Sequence, residues 1–232
     1  MGLYLVLMGV QGAGKGVQAS YIEEKYQIPH VSTGDLFRAM KQRDDELARR
    51  VQQILNSGQL VDDATTNEIV ADRLNQSDAA NGAILDGYPR NQNQAEFLSR
   101  YLASKEKKVN AVLLLELDLY VAFKRAFGRV TAPDGTSYNI YTNRDGIEVH
   151  FEEDPAGKYP ARVVAKRDGE ELQRRSDDAN AAAVIKRIDT YLESTQPLID
   201  YYDERGLLKR VDAEQSIENV QAEISEIIES TT

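Results

Sequence analysis

One octapeptide constrains this chain more than any other feature: Gly9-Val10-Gln11-Gly12-Ala13-Gly14-Lys15-Gly16, directly after the apolar run Tyr4–Met8 and before the helix-like segment Gln18–Lys25. The pattern G-x-x-x-x-G-K between a strand and a helix marks a phosphate-binding loop. Its glycines let successive backbone N–H groups turn inward around phosphate oxygens, while Lys15 adds a charge near the transferring group. The following helix points its positive dipole end at the same place. Position 16 is Gly where many such loops carry a Mg²⁺-ligating Ser or Thr. A metal ion must then be held by nucleotide, water and carboxylates elsewhere.

Such a loop needs a buried strand behind it, and the chain supplies several. Apolar runs at Tyr4–Met8, Ile28–Val31, Ala83–Leu85, Ala111–Leu117 and Leu207–Val211 read as strands buried on both faces. Helix-like segments such as Gln18–Lys25, Glu46–Asn56, Thr65–Asn75 and Gln92–Lys105 lie between them. In the tail, Ile217, Val220, Ile224, Ile227 and Ile228 recur at helical spacing. Alternating strands and helices predict an α/β fold with a doubly wound, five-stranded parallel sheet of the P-loop NTPase type. From Val130 to Asp178 the rhythm breaks: turn signals such as Pro133-Asp134-Gly135 and Arg167-Asp168-Gly169 separate short alternating pieces, Ser137–Tyr141 and Glu148–Phe151. This stretch reads as an inserted β-rich lobe.

Composition narrows the partners. With 28 Lys+Arg against 38 Asp+Glu the formal charge is -10, which argues against broad binding of nucleic acid or anionic membrane. No apolar run reaches the roughly 20 residues of a membrane span, and the N-terminus lacks the basic region of a secretory signal. Cysteine is absent, so disulfides and thiol catalysis are excluded and a cytoplasmic protein is expected.

Two further segments follow strands. Asp86-Gly87-Tyr88-Pro89-Arg90 joins a carboxylate suited to a Mg²⁺-bound water to an arginine fork suited to phosphate. Ser32-Thr33-Gly34-Asp35-Leu36-Phe37-Arg38 repeats the theme with Asp35 and Arg38. With the loop at Gly9–Gly16, Gly58-Gln59-Leu60-Val61, Gln94, the Gly169–Asp178 segment and Arg187, the chain resembles the adenylate kinases, and more broadly the nucleoside monophosphate kinases. The similarity runs from Gly2 to about Val211.

The resemblance implies a core (1–31, 62–129 and 179–232), a small helical monophosphate-binding lobe (32–61) and a β-rich lid (130–178). It implies that Gly12, Ala13, Gly14, Lys15, Gly16 and Val17 wrap the ATP phosphates, and that Arg125, Arg129, Ser137, Tyr138 and Gln215 complete the ATP site. Thr33, Gln59, Leu60, Val61, Gly87, Tyr88, Pro89 and Gln94 would surround AMP. Arg38 and Arg90 would clamp its phosphate, and Arg175 and Arg187 would meet both phosphate chains, with Asp177 and Asp178 positioning them. Lys15, Arg38, Arg90, Arg129, Arg175 and Arg187 would be the catalytic set, with Asp35 and Asp86 reaching Mg²⁺ through water. Gln94 would read adenine, since one amide pairs with both a donor and an acceptor on a base edge. A monomer is expected.

The chain also departs from the pattern. Val17 replaces a threonine, which predicts weaker ATP binding without loss of activity. Gly128-Arg129-Val130 is one arginine short of G-R-R, leaving roles open among Lys124, Arg125 and Arg129. At the lid positions where some relatives carry zinc ligands stand Thr131, Asp134, Ala165 and Asp168, so no structural zinc is expected. The lid is longer than usual around Arg144–Pro155. Arg90-Asn91-Gln92-Asn93 leaves a pyrimidine monophosphate kinase as the alternative enzyme, and a nucleotide-binding regulatory module that has lost turnover as the non-enzyme reading. The phosphoryl acceptor is already anionic, so no general base is required, and His30 and His150 read as packing or surface residues.

Overall fold

A computed structural model describes residues 2–56, 61–153, 157, 160, 162–175, 178 and 180–231. In chain order the elements are β1 (Leu3–Gly9), α1 (Lys15–Tyr26), β2 (His30–Ser32), α2 (Thr33–Met40), α3 (Glu46–Asn56), α4 (Asp63–Leu74), β3 (Gly82–Asp86), α5 (Gln92–Ala103) and β4 (Ala111–Glu116). There follow α6 (Leu119–Phe127), β5 (Arg129–Thr131), β6 (Ser137–Asn139), β7 (Ile147–Glu152), β8 (Arg162–Arg167), β9 (Glu170–Glu171), α7 (Ala181–Asp203), β10 (Leu208–Asp212) and α8 (Ile217–Thr231). They group into two compact units. One comprises Met1–Gly9, Gly14–Leu115 and Ser194–Thr232, the other Val10–Ala13 and Glu116–Glu193.

The first unit is built on a five-stranded parallel sheet in the order β10-β4-β1-β3-β2. Central β1 pairs Leu5 with Ile84 of β3 and with Ala111 of β4. Tyr4–Gly9, Gly82–Leu85 and Ala111–Leu115 are buried throughout, as strands covered on both faces must be. At the edges burial thins out: β2 buries Val31, and β10 buries Leu208 and Val211. Val70 and Leu74 of α4, Leu98 and Leu102 of α5, and Leu198 and Tyr202 of α7 close over Val6, Leu85 and Val112 in one apolar cluster. At roughly 1.5–3 kcal/mol for each fully buried aliphatic side chain, this packing holds the strand ends in place. A smaller cluster, Met40, Ala48, Val51 and Ile69, ties α2, α3 and α4 together. After β1 the chain fills β2 and β3 on one side and only then β4 and β10 on the other. The reversal lies at the C-terminal end of β1, where open α/β sheets bind ligands.

The second unit contains α6 and two small antiparallel sheets, β5-β6 and β7-β8-β9. These fall within the stretch expected to be β-rich, with Val130 opposite Tyr138 and Val149 opposite Ala165. Val130, Ile140, Ile147, Val163, Ala165 and Leu172 are buried in it. The predicted strands agree with those observed to within two residues at each end, and α3 matches its predicted span. Helices α2, α6 and α7 are not among the segments predicted. α2 opens on turn-like Ser32-Thr33-Gly34, α6 is too short to show a stripe, and α7 contains Pro197, a residue that reads as a helix breaker. Among the described residues no helix is long and apolar enough to cross a membrane.

Candidate active site

In the first unit the phosphate loop passes into α1 through Gly14, whose φ of 89° gives a left-handed turn. No side chain caps this helix start and its first turn carries no acidic residue. Its N–H groups and dipole thus keep their attraction for an anion. Lys15 is the first helical residue, and its Nζ donates to the Gly9 carbonyl across the loop at 2.6 Å. Val17 sits 49% exposed one turn edge away. In the second unit, Gly12 has φ +95° and a Cβ there would stand 2.5 Å from the Ala122 carbonyl oxygen. Only glycine fits.

Beside β1, the ends of β2 and β3 lie in register, Ser32 opposite Asp86. Ser32 caps α2, which carries Asp35 and Arg38 in its first two turns. Burial alone would raise the Asp35 carboxyl, but hydrogen bonds from Arg38 and Ser32 and the Arg38 charge outweigh it and hold it below the usual carboxylate range. Asp86 ends β3 with the His30 Nε2 at 3.4 Å. These are hard oxygen donors on neighbouring elements, Asp35 ionised, and they suit a Mg²⁺ that keeps several waters and arrives on a nucleotide. Among the described residues no group of three or more His, Cys, Asp or Glu is gathered for a metal. In the second unit, Asp134 accepts from its own turn at Thr136 N–H, and Ala165 is buried in β8.

The turn after β3 is drawn together by its own polar groups. Gly87 has φ +74°. Its carbonyl accepts from the Thr33 hydroxyl at 3.0 Å and from Arg90 Nε at 2.9 Å. The Arg90 backbone N–H donates to Gln94 Oε1 at 2.8 Å, and Gln94 Nε2 donates to Asp63 Oδ1 at 2.6 Å. Thr33, Gly87, Arg90 and Gln94 are thus one connected group. Pro89 follows a cis peptide bond. The Tyr88 side chain points into the core, donating to Asn67 Oδ1 at 2.5 Å, and burial raises its phenol well above the usual value. What Tyr88 can offer a nucleotide is its backbone. Asn91 caps α5 at the Gln94 N–H and donates to both Asp63 oxygens. Val61 precedes the α4 cap; Gln59 and Leu60 lie outside the described residues.

The second unit holds a cluster of cations around one carboxylate. Asp178, 0% exposed at its side chain, has Arg187 Nη1 at 3.5 Å and Arg129 Nε at 3.8 Å. Gln11 of the phosphate loop donates to the same carboxylate. Arg174 donates to the carbonyls of Phe127 and Asp178 and stacks 4.7 Å from the Phe127 ring. Burial lowers its guanidinium's proton affinity, against the Asp178 charge. Arg175 offers its carbonyl to the Asp178 N–H, while Asp177 lies outside the described residues. On α6, the Lys124 ammonium covers the Tyr120 ring at 4.5 Å, and Arg125 follows it. Ser137 is exposed on β6, and the Tyr138 ring is covered by the Arg167 guanidinium. Gln215, in the first unit and in the turn before α8, donates to Glu223 of that helix. Sequence reasoning did not single out Gln11 or Asp63. Gln11 stands at a variable position of the loop motif, and Asp63 looks like an ordinary acidic first-turn residue.

Comparison with known proteins bears on this arrangement. A family model described as adenylate kinase matches residues 7–207. The chain is 40% identical over 229 residues to an adenylate kinase of Listeria monocytogenes serotype 4b, covering 97% of this chain and 99% of that protein. It is 41% identical over 228 residues to an adenylate kinase of Thermotoga neapolitana and over 227 to one of Thermotoga maritima, covering 97% of this chain and 96% of each.

Proposed function

This chain belongs to the adenylate kinase family of ATP–AMP phosphotransferases, and we propose that it transfers the γ-phosphoryl group of Mg²⁺-ATP reversibly to AMP, giving two ADP and serving adenine nucleotide balance. The observation that carries this reading lies in the first unit. The loop lysine sits at the end of β1, and the connected group Thr33–Gly87–Arg90–Gln94 follows the neighbouring β3. Lys15 would follow the moving phosphoryl group, with Gly12–Val17 around the ATP phosphates. Arg38 and Arg90 would hold the AMP phosphate, and Gln94, Thr33 and residues 59–61 its base. Arg129, Arg175 and Arg187 would neutralise phosphate charge. Arg125 or Lys124, with Ser137, Tyr138 and Gln215, would complete the ATP side. Asp35 and Asp86 would hold the ion through water, and its chemistry there is neutralisation of phosphate charge. The functional division we propose is core, monophosphate lobe (32–61) and lid (130–178), since both latter stretches are insertions between elements of the parallel sheet.

The acceptor oxygen carries its own negative charge, so positioning and charge neutralisation suffice and no base is required. The Asn91 amide is committed to Gln94 and Asp63, which leaves the pyrimidine alternative without its leading residue. We place the chain as a cytoplasmic monomer, supported by its acidic charge and lack of cysteine. The test is ADP production from ATP with AMP, UMP, CMP or GMP, with Mg²⁺ and then with EDTA. Rapid Mg²⁺-dependent turnover with AMP alone is expected. A pyrimidine preference, or ATP binding without transfer, would overturn the reading.

A further inference from the structure

A carboxamide has two chemically opposite ends, and which end faces a ligand decides what it can read. For Gln94 the choice is made by its neighbours. The Arg90 backbone N–H can only donate, and it meets Oε1 at 2.8 Å. The Asp63 carboxylate oxygen Oδ1 accepts from Nε2 at 2.6 Å. A turned-over amide would set N–H against N–H and carbonyl against carboxylate. Asp63 is in turn anchored by the Asn91 amide at 3.0 and 3.1 Å. Each end of the Gln94 amide retains one further function, a lone pair on Oε1 and an N–H on Nε2. That pair complements a base edge bearing a donor beside an acceptor. A 6-aminopurine presents an amino donor and the N1 acceptor; a 6-oxopurine presents the reverse.

We propose that Asp63 is a positioning residue that fixes the polarity of the Gln94 amide and thereby makes the monophosphate site select a 6-amino over a 6-oxo purine. This rests on the reading that Gln94 meets the acceptor base. Without Asp63 the amide loses one of its two anchors and can turn over to pair with hypoxanthine.

The experiment compares kcat/KM for AMP and IMP, at saturating ATP, in the wild-type chain and in Asp63→Ala, Asp63→Ser, Asp63→Asn and Gln94→Ala. The AMP:IMP ratio should fall about tenfold in Asp63→Ala and Asp63→Ser, as for loss of one hydrogen bond to a charged partner. Asp63→Asn keeps a carbonyl acceptor and should restore it, with the KM for ATP unmoved throughout. A folded Ala or Ser variant with an unchanged ratio would overturn the proposal, as would equal losses for AMP and IMP, the mark of a merely structural role. Loss of the ratio in Asp63→Asn would overturn the acceptor geometry. If Gln94→Ala also leaves the ratio intact, the base is read elsewhere and both readings fall. If Gln94→Ala abolishes it while the Asp63 variants do not, only this inference falls.

Discussion

On the proposed function, Lys15 is the residue on which phosphoryl transfer would depend most directly. It opens α1, and its ammonium donates across the loop to the Gly9 carbonyl. Lys15→Ala should remove about 3 kcal/mol or more of transition-state stabilisation, the worth of one preorganised donor. That corresponds to a fall of roughly a hundredfold or more in kcat, measurable as ADP formation at saturating substrates. Near wild-type turnover would take Lys15 out of the mechanism. The identity of this residue was legible in the motif. The polarity of Gln94 was not, because it depends on Asp63, thirty-one positions away, and no local pattern links them.

At the scale of elements, two helices of the first unit, α4 and α3, begin on acidic caps. The Asp62 carboxylate accepts from the Thr65 N–H at 2.7 Å at the start of α4, and Asp45 accepts from the Ala48 N–H at 2.9 Å in α3. Those backbone hydrogen bonds lower both carboxyls below their ordinary value of 3.8. A depressed folded-state value means stability that is present above the unfolded value and lost as pH falls through the folded one. Stability to urea should therefore drop between pH 5 and pH 3. Asp62→Asn keeps a capping oxygen but has no proton to gain, so its loss over that interval should be smaller. An equal loss in variant and wild type would show that the cap does not titrate with folding. From the sequence alone α4 is expected to begin at Thr65, and neither Asp cap is singled out. Helix α2 was not legible either, since Ser32-Thr33-Gly34 carries turn propensity and its helix is held by Met40 packing on Val51 and Ile69.

In the molecule as a whole, Asp178 organises residues from distant parts of the chain within the second unit. Gln11 lies 167 positions from it, yet both belong to that unit, with Arg129 and Arg187 on the same carboxylate. Asp178→Ala should cost about 2 kcal/mol, less than a fully buried ion pair would, since both arginines stay partly exposed. It should also lower kcat; unchanged thermal midpoint and turnover together would deny Asp178 this role. By itself the sequence determined the phosphate loop, the parallel sheet and the residue types at the turn after β3. Each is written in short-range spacing and in buried strands that must be continuously apolar. Only the tertiary structure decided that Tyr88 faces the core, that Asp63 accepts from Gln94 and that the Asp178 carboxylate takes Gln11 and Arg129 beside the expected Arg187. Those pairings join residues far apart in the chain, and their partners are set by packing rather than by any local rule.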